Sequence, residues 1–209
     1  MPHALSAIEV FDKNANLYQE KFMNVDLYKE SLDFFVDSLP SKSASILELG
    51  CGPGNITRHL LNKNPHLKIT GTDLSVNMLE LAKKNNPSAK FQMLDCRDLH
   101  KIKDKYDALV FGFCLPYVTK EEAIKMIHDG SKILNPGGLL YISTMEDDYS
   151  KSVLQTGSTG DQVFIHYHQE NYLRETLVKE GFQIAHLSRK EYVDGNGKNV
   201  VDLILVGKV

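Results

Sequence analysis

The chain has 209 residues, 42% of them apolar and 24% charged, with a formal net charge of −3. That length suits one domain with a sizeable core, and the composition excludes a disordered or fibrous chain. With 24 basic residues against 27 acidic ones there is no overall electrostatic case for nucleic acid, so none is expected as a partner. No run of 18 apolar residues exists, and residues 1–22 lack the basic, apolar and small-residue regions of a signal peptide. A cytoplasmic location without membrane insertion is therefore expected. Cys51, Cys96 and Cys114 are odd in number and lack CxxC spacing, which argues against a disulfide framework or a zinc site.

In chain order, residues 5–40 read as two helices. Ile8, Phe11, Ala15, Tyr18 and Phe22 form one apolar stripe, and Tyr28, Leu32, Phe35 and Leu39 form a second. Residues 1–40 are expected to cap a main domain of residues 41–209, with Ser41-Lys-Ser43 as linker. Ile46, Leu47 and Leu49 then make a short apolar run, as in a buried parallel strand. Gly50, Gly52 and Gly54 turn the chain, and Ile56, Leu60 and Leu61 begin a helical face that Asn64-Pro65 stops. A loop of this kind lets backbone N–H groups approach a ligand closely, because glycine has no Cβ to collide with it.

Ile69 to Asp73 reads as a second strand, with Asp73 at its carboxyl end, 19 residues after Gly54. An acid there suits the hydroxyls of an adenosine ribose. The alternative is that Asp73 caps the next helix, Leu74 to Lys84, a role open equally to Ser75. Ala89 to Leu94 and Tyr106 to Phe111 are strands three and four, and the polar stretch after the former also allows Asp95 to be a simple turn residue. Thr119 and Glu122 form a capping box for a helix carrying Ala123, Ile124 and Ile127, followed by strand five, Leu139 to Thr144.

Residues 146–167 are the least regular stretch and the expected place of an acceptor pocket. His166 and His168 follow as candidate general bases, although two histidines without a third ligand make no metal site, and none is expected. A helix through Tyr172, Leu173, Thr176 and Leu177 ends at Gly181. Phe182 to Ser188 and Val200 to Val206 are the last strands; the turn Asp194-Gly-Asn-Gly197 makes them antiparallel.

Three segments, Glu48-Leu-Gly-Cys-Gly-Pro-Gly54, Gly71-Thr-Asp-Leu-Ser75 and Met93-Leu-Asp-Cys96, resemble the class I S-adenosylmethionine-dependent methyltransferases in order and spacing. Within that family the similarity is to the small-molecule branch that includes the ubiquinone and menaquinone methyltransferases. It implies a Rossmann-like, doubly wound α/β fold: a seven-stranded sheet, mostly parallel with an antiparallel C-terminal strand, under an N-terminal helical lid. It implies S-adenosylmethionine as cofactor, S-adenosylhomocysteine as product, and a small-molecule methyl acceptor.

By resemblance, Gly50, Gly52 and Gly54 cradle the methionine end of the cofactor and Glu48 reaches its ammonium. Asp95 accepts from the adenine amino group, and the Cys96 N–H meets a ring nitrogen. Tyr18, Cys51, Leu74, Met78 and Phe113 are further expected cofactor neighbours; Tyr117, Tyr149 and Tyr167 are expected to wall the acceptor pocket. Phe113-Cys-Leu-Pro-Tyr117 departs from the Asn/Asp-Pro-Pro-Tyr motif of methyltransferases acting on planar amino groups, so that activity is not carried across. A nicotinamide-dependent dehydrogenase is the rival enzyme, but Asn55 stands where its fingerprint wants glycine or alanine. A non-catalytic S-adenosylmethionine-binding module is the remaining alternative, and a monomer and a homodimer are both compatible with the sequence.

Overall fold

The computed structural model describes residues 6–194 and 197–209. Residues 1–5 of the expected cap and Gly195-Asn196 of the expected turn lie outside the described residues. The strands are β1 (Ser45–Leu49), β2 (Lys68–Asp73), β3 (Lys90–Met93), β4 (Tyr106–Gly112), β5 (Leu134–Met145), β6 (Val153–Thr156), β7 (Gln162–Ile165), β8 (Gln183–Val193) and β9 (Asn199–Lys208). The helices are α1 (Ala7–Lys13), α2 (Ala15–Phe22), α3 (Lys29–Asp37), α4 (Asn55–Lys63), α5 (Val76–Asn85), α6 (Lys120–Ile133) and α7 (Glu170–Lys179).

Seven strands form one sheet in the order β3-β2-β1-β4-β5-β9-β8. Neighbours are parallel from β3 to β5, and β9 inserts antiparallel between β5 and β8. The order reverses between β1 and β4, so a crevice opens at the carboxyl ends of those strands, where open α/β sheets bind ligands. Both faces are covered, as the near-continuous apolar runs of β1 and β4 require. Leu49, Phe111, Met126, Ile142 and Leu173 pack on the side of α6 and α7; Leu32, Phe35, Ile46, Leu60 and Tyr141 pack on the side of α3 and α4.

Two local expectations need correction. The stripe from Ile8 to Phe22 is not one helix: Asn14 leaves helical geometry at φ −105°, ψ 18°, and divides it into α1 and α2. The Asn14 side-chain amide donates to Val10 O at 2.9 Å and to Asp161 at 3.0 Å, which holds the break in place. The stretch 146–167 is not simply a loop. It contains the antiparallel hairpin β6–β7, closed through Gly157 N–H donating to Asp161 O at 2.8 Å. Asp161 also takes Lys13 Nζ at 2.9 Å, so the hairpin is fastened to the junction of α1 and α2.

Candidate functional site

β1 delivers the chain into the glycine turn. Gly52 lies at φ +51°, and the nearest atom to an added Cβ is Tyr18 Cε1 at 3.6 Å; the position faces a cavity. Gly54, at φ +80°, is constrained differently: a Cβ would lie 2.3 Å from Asn86 Nδ2 and 3.4 Å from Ala82. Its absence lets the start of α4 close onto the end of α5, where Asn86 Nδ2 donates to Gly54 O at 3.0 Å.

Asp73 ends β2 beside this turn. Its Oδ2 accepts the Gly52 N–H at 2.9 Å and its Oδ1 the Ser75 N–H at 2.9 Å. The cap of α5 is Ser75, whose hydroxyl accepts the Met78 N–H at 3.0 Å. Asp12 of α1, absent from the sequence expectations, accepts from Ser75 Oγ at 2.7 Å and from the Asn77 N–H at 3.0 Å. With those groups serving the helix, the Asp73 carboxylate lines the cavity, and burial pushes its pKa above the usual value.

The cavity encloses about 130 Å³. Of the expected cofactor neighbours, Tyr18, Gly50, Gly52, Asp73, Leu74, Met78, Cys96 and Phe113 line it. Glu48, Cys51, Gly54 and Asp95 do not. Glu48 is 1% exposed and takes the Thr57 hydroxyl; burial, partly offset by that bond, pushes its pKa up to about 7. Cys51 is enclosed behind the loop, where burial raises its pKa well above that of a free thiol. Asp95 is held by Arg97, with Nε and Nη2 at 2.9 and 2.5 Å from its two oxygens, and the guanidinium keeps its pKa low. Its neighbours Leu94 and Cys96 face the cavity instead.

A second cavity of about 380 Å³ adjoins the first, and Phe11, Tyr18, Phe113 and Tyr117 line both. Its remaining walls come from α1 to α4 and the segment before α3, from β5, β8 and β9, and from the β6–β7 hairpin, including Tyr28, Tyr141, Ser143, Gln155, Tyr192 and Asp202. Phe113 has the one positive φ, 53°, among the described non-glycine residues, a strained geometry at the wall common to both spaces. Its ring rests against Tyr28 at 5.0 Å.

Of the expected acceptor-pocket tyrosines, Tyr117 lines both cavities; Tyr149 and Tyr167 line neither. The Tyr149 hydroxyl accepts the Lys120 N–H at 3.3 Å, and the Tyr167 hydroxyl accepts from Gln155 at 2.7 Å and Lys198 at 2.9 Å. The histidines are also placed away from both spaces. His166 stacks on Tyr149 at 5.9 Å. His168 is fully enclosed: its Nε2 meets Leu115 O at 2.8 Å, and its Nδ1 meets the Tyr172 hydroxyl. The carbonyl requires Nε2 to carry the proton, leaving Nδ1 to accept from Tyr172. Burial holds the His168 pKa down to about 4, so it is a neutral brace between the loop after β4 and α7.

Sequence reasoning missed Tyr28, Tyr192 and Asp202. For Asp202 a signal was present: it is the lone charge in the apolar run Val200 to Val206 of a central strand.

A glycine turn and a strand-end carboxylate at the switch point give this sheet the Rossmann-like arrangement in which nucleotide-containing cofactors commonly bind. Residues 46–138 match the family profile described as "Methyltransferase domain". Demethylmenaquinone methyltransferase of Thermotoga maritima is 32% identical over 117 residues, 51% of this chain and 48% of that one. The tRNA N(3)-methylcytidine methyltransferase trm140 of Schizosaccharomyces pombe is 29% identical over 183 residues, 82% of this chain and 55% of that one. Magnesium protoporphyrin IX methyltransferase from Synechocystis PCC 6803, solved with bound S-adenosylhomocysteine, superposes with a TM-score of 0.69 at 18% identity, covering 96% of this chain and 97% of that one. The chain spans about half the length of the curated relatives it matches. It shares the fold of the Synechocystis structure, whose bound group is S-adenosylhomocysteine, and residues 46–138 resemble a methyltransferase domain.

The residues present fit that group. Each Asp73 oxygen accepts one backbone N–H and retains a lone pair, enough for the two hydroxyls of a ribose. Gly52 leaves the space that a Cβ would fill, and Leu74, Met78 and Leu94 offer apolar walls to a flat ring.

Proposed function

We propose that the protein is a methyltransferase that moves the methyl group of S-adenosylmethionine to a small-molecule acceptor held in the second cavity. The observation that carries this reading is the shared wall: a cofactor-type cavity and a larger, mostly apolar one meet at Phe11, Tyr18, Phe113 and Tyr117. The cofactor supplies an electrophilic methyl on a sulfonium, so the chain's own work is alignment and exclusion of water. Gly50, Gly52 and Asp73 bind, α1 and α2 cover, and Phe113 and Tyr117 fix the acceptor's approach. The four residues of the shared wall supply no base near neutral pH: two are phenylalanines, burial pushes the Tyr18 phenol up to about 12, and Tyr117, 38% exposed, is a phenol whose pKa is likewise raised. An acceptor whose reacting atom already has a free lone pair suits such a site.

A small-molecule acceptor agrees with the relative named for demethylmenaquinone. The relative named for tRNA makes nucleic acid the competing class. The test is formation of S-adenosylhomocysteine from S-adenosylmethionine, with quinols, amines, alcohols and carboxylic acids in one series and bulk tRNA in the other. Turnover with a small molecule is expected. Turnover on tRNA alone would contradict the proposal, and binding without turnover in either series would favour the non-catalytic module.

A further inference from the structure

Asp202 is fully buried in β9, opposite Met145 of β5, and lines the acceptor-side cavity. Tyr28 donates to its Oδ2 at 2.6 Å and the Tyr192 phenol also hydrogen-bonds the carboxyl, while Oδ1 is left without a close partner among the described residues. Ser143, on the same wall, also leaves its hydroxyl oxygen without one. Buried polar atoms in folded proteins are nearly always paired, and an unpaired carboxylate oxygen is among the costliest exceptions. Lys190 of β8 stands opposite Asp202 in the register, but its Nζ pairs with Glu30 at 3.3 Å; among the described residues no cation is ion-paired to Asp202, and no lysine, arginine or histidine lines this cavity. The cavity's other acid, Asp161, is already satisfied by Lys13, Asn14 and Thr159. What remains is one carboxylate lacking a cation, in a chamber walled by Phe11, Tyr18, Tyr28, Phe113, Tyr117 and Tyr192. Aromatic faces attract cations as the carboxylate does.

We propose that this cavity selects acceptors that carry a protonated amine, with the ammonium paired to Asp202 and packed among the aromatic rings; the assignment deepens the methyltransferase reading and rests on it. Held as an ammonium, that nitrogen has no lone pair, so it is an anchor rather than the methylated atom. The same arrangement disfavours carboxylate and phosphate ligands, because no cation lines the cavity to receive them.

Three probes of nearly equal size separate the possibilities: 2-phenylethylamine, 2-phenylethanol and 3-phenylpropanoate, each titrated calorimetrically into the protein with and without S-adenosylhomocysteine. The amine is expected to bind at least about tenfold more tightly than the alcohol, with the carboxylate weakest. In Asp202→Asn the preference for the amine should collapse to about threefold or less, with S-adenosylhomocysteine titration of the variant reporting its folding. Equal affinity for the three probes, a preference for the carboxylate, or no binding of the amine would overturn the proposal. The wild-type series stands even if the variant does not fold. S-adenosylhomocysteine titrated alone keeps the two readings apart: its failure to bind would sink the methyltransferase reading, whereas its binding without charge selection among the probes would sink only the amine site.

Discussion

Asp73 shows how a side chain becomes available for a ligand. Because Ser75 and Asp12 serve the start of α5, the Asp73 carboxylate is spent on two backbone N–H groups and keeps acceptor capacity toward the cavity. Charged hydrogen bonds of this type contribute about 1.5 to 3 kcal/mol. Asp73→Ala should therefore weaken S-adenosylhomocysteine binding by roughly 10- to 100-fold in a calorimetric titration. Asp95→Ala should cost clearly less, since Arg97 already occupies that carboxylate; equal losses would show that Asp95 leaves Arg97 to meet the ligand.

Two buried groups oppose each other in their effect on stability. Glu48 is raised from 4.5 to about 7, so in that window the folded chain keeps a proton the unfolded chain has released, and stability falls as pH rises through it. His168 is lowered from 6.5 to about 4, so the unfolded chain holds the extra proton and stability rises with pH. Each contributes on the order of 3 kcal/mol across its window. Urea unfolding as a function of pH should find Glu48→Gln with a steeper rise than wild type and His168→Gln with a steeper fall. Unchanged slopes in both variants would contradict these assignments.

The residue scale also shows what the sequence could disclose. The place of Gly50, Gly52 and Asp73 at the first cavity was legible because it follows from the local turn of one strand into one helix. Imidazoles beside an irregular stretch suggest a base, but whether His168 faces a cavity depends on Leu115 and Tyr172, 53 residues before it and four after, and the place of His166 depends on Tyr149. The capping role of Asp12 arises from a contact 63 residues away and has no local signature.

At the scale of elements, periodicity identified α4 to α7 and β1 to β5, and its failures have definable causes. The break at Asn14 preserves the apolar stripe, so spacing alone could not reveal it. The β6–β7 hairpin pairs exposed residues such as Leu154 and Phe164 without strict alternation, and its anchor is a tertiary contact at Asp161. That contact joins the hairpin to α1 and α2 over the acceptor-side cavity. Asp161→Ala should speed amide hydrogen exchange in β6, β7 and the α1–α2 junction while leaving β1, β4 and β5 protected. Uniformly faster exchange across the chain would instead make Asp161 a determinant of global stability.

At the scale of the molecule, the sheet order puts the two chambers side by side. β1 and β2 bring the glycine turn and Asp73 to the switch point; β4 brings Phe113 and, after a short turn, Tyr117; β5 and β9 bring Ser143 and Asp202 to the next chamber. The first set is contiguous enough to be read from sequence. The second joins the two ends of the chain, Tyr28 to Asp202, and required the fold. The central claim is that the first chamber binds the nucleoside sulfonium cofactor, and calorimetric titration of S-adenosylhomocysteine, with NADH as control, tests it most directly. One site per chain with a dissociation constant on the order of micromolar and no heat from NADH is the predicted result. No binding of S-adenosylhomocysteine, or NADH binding equally well, would contradict it.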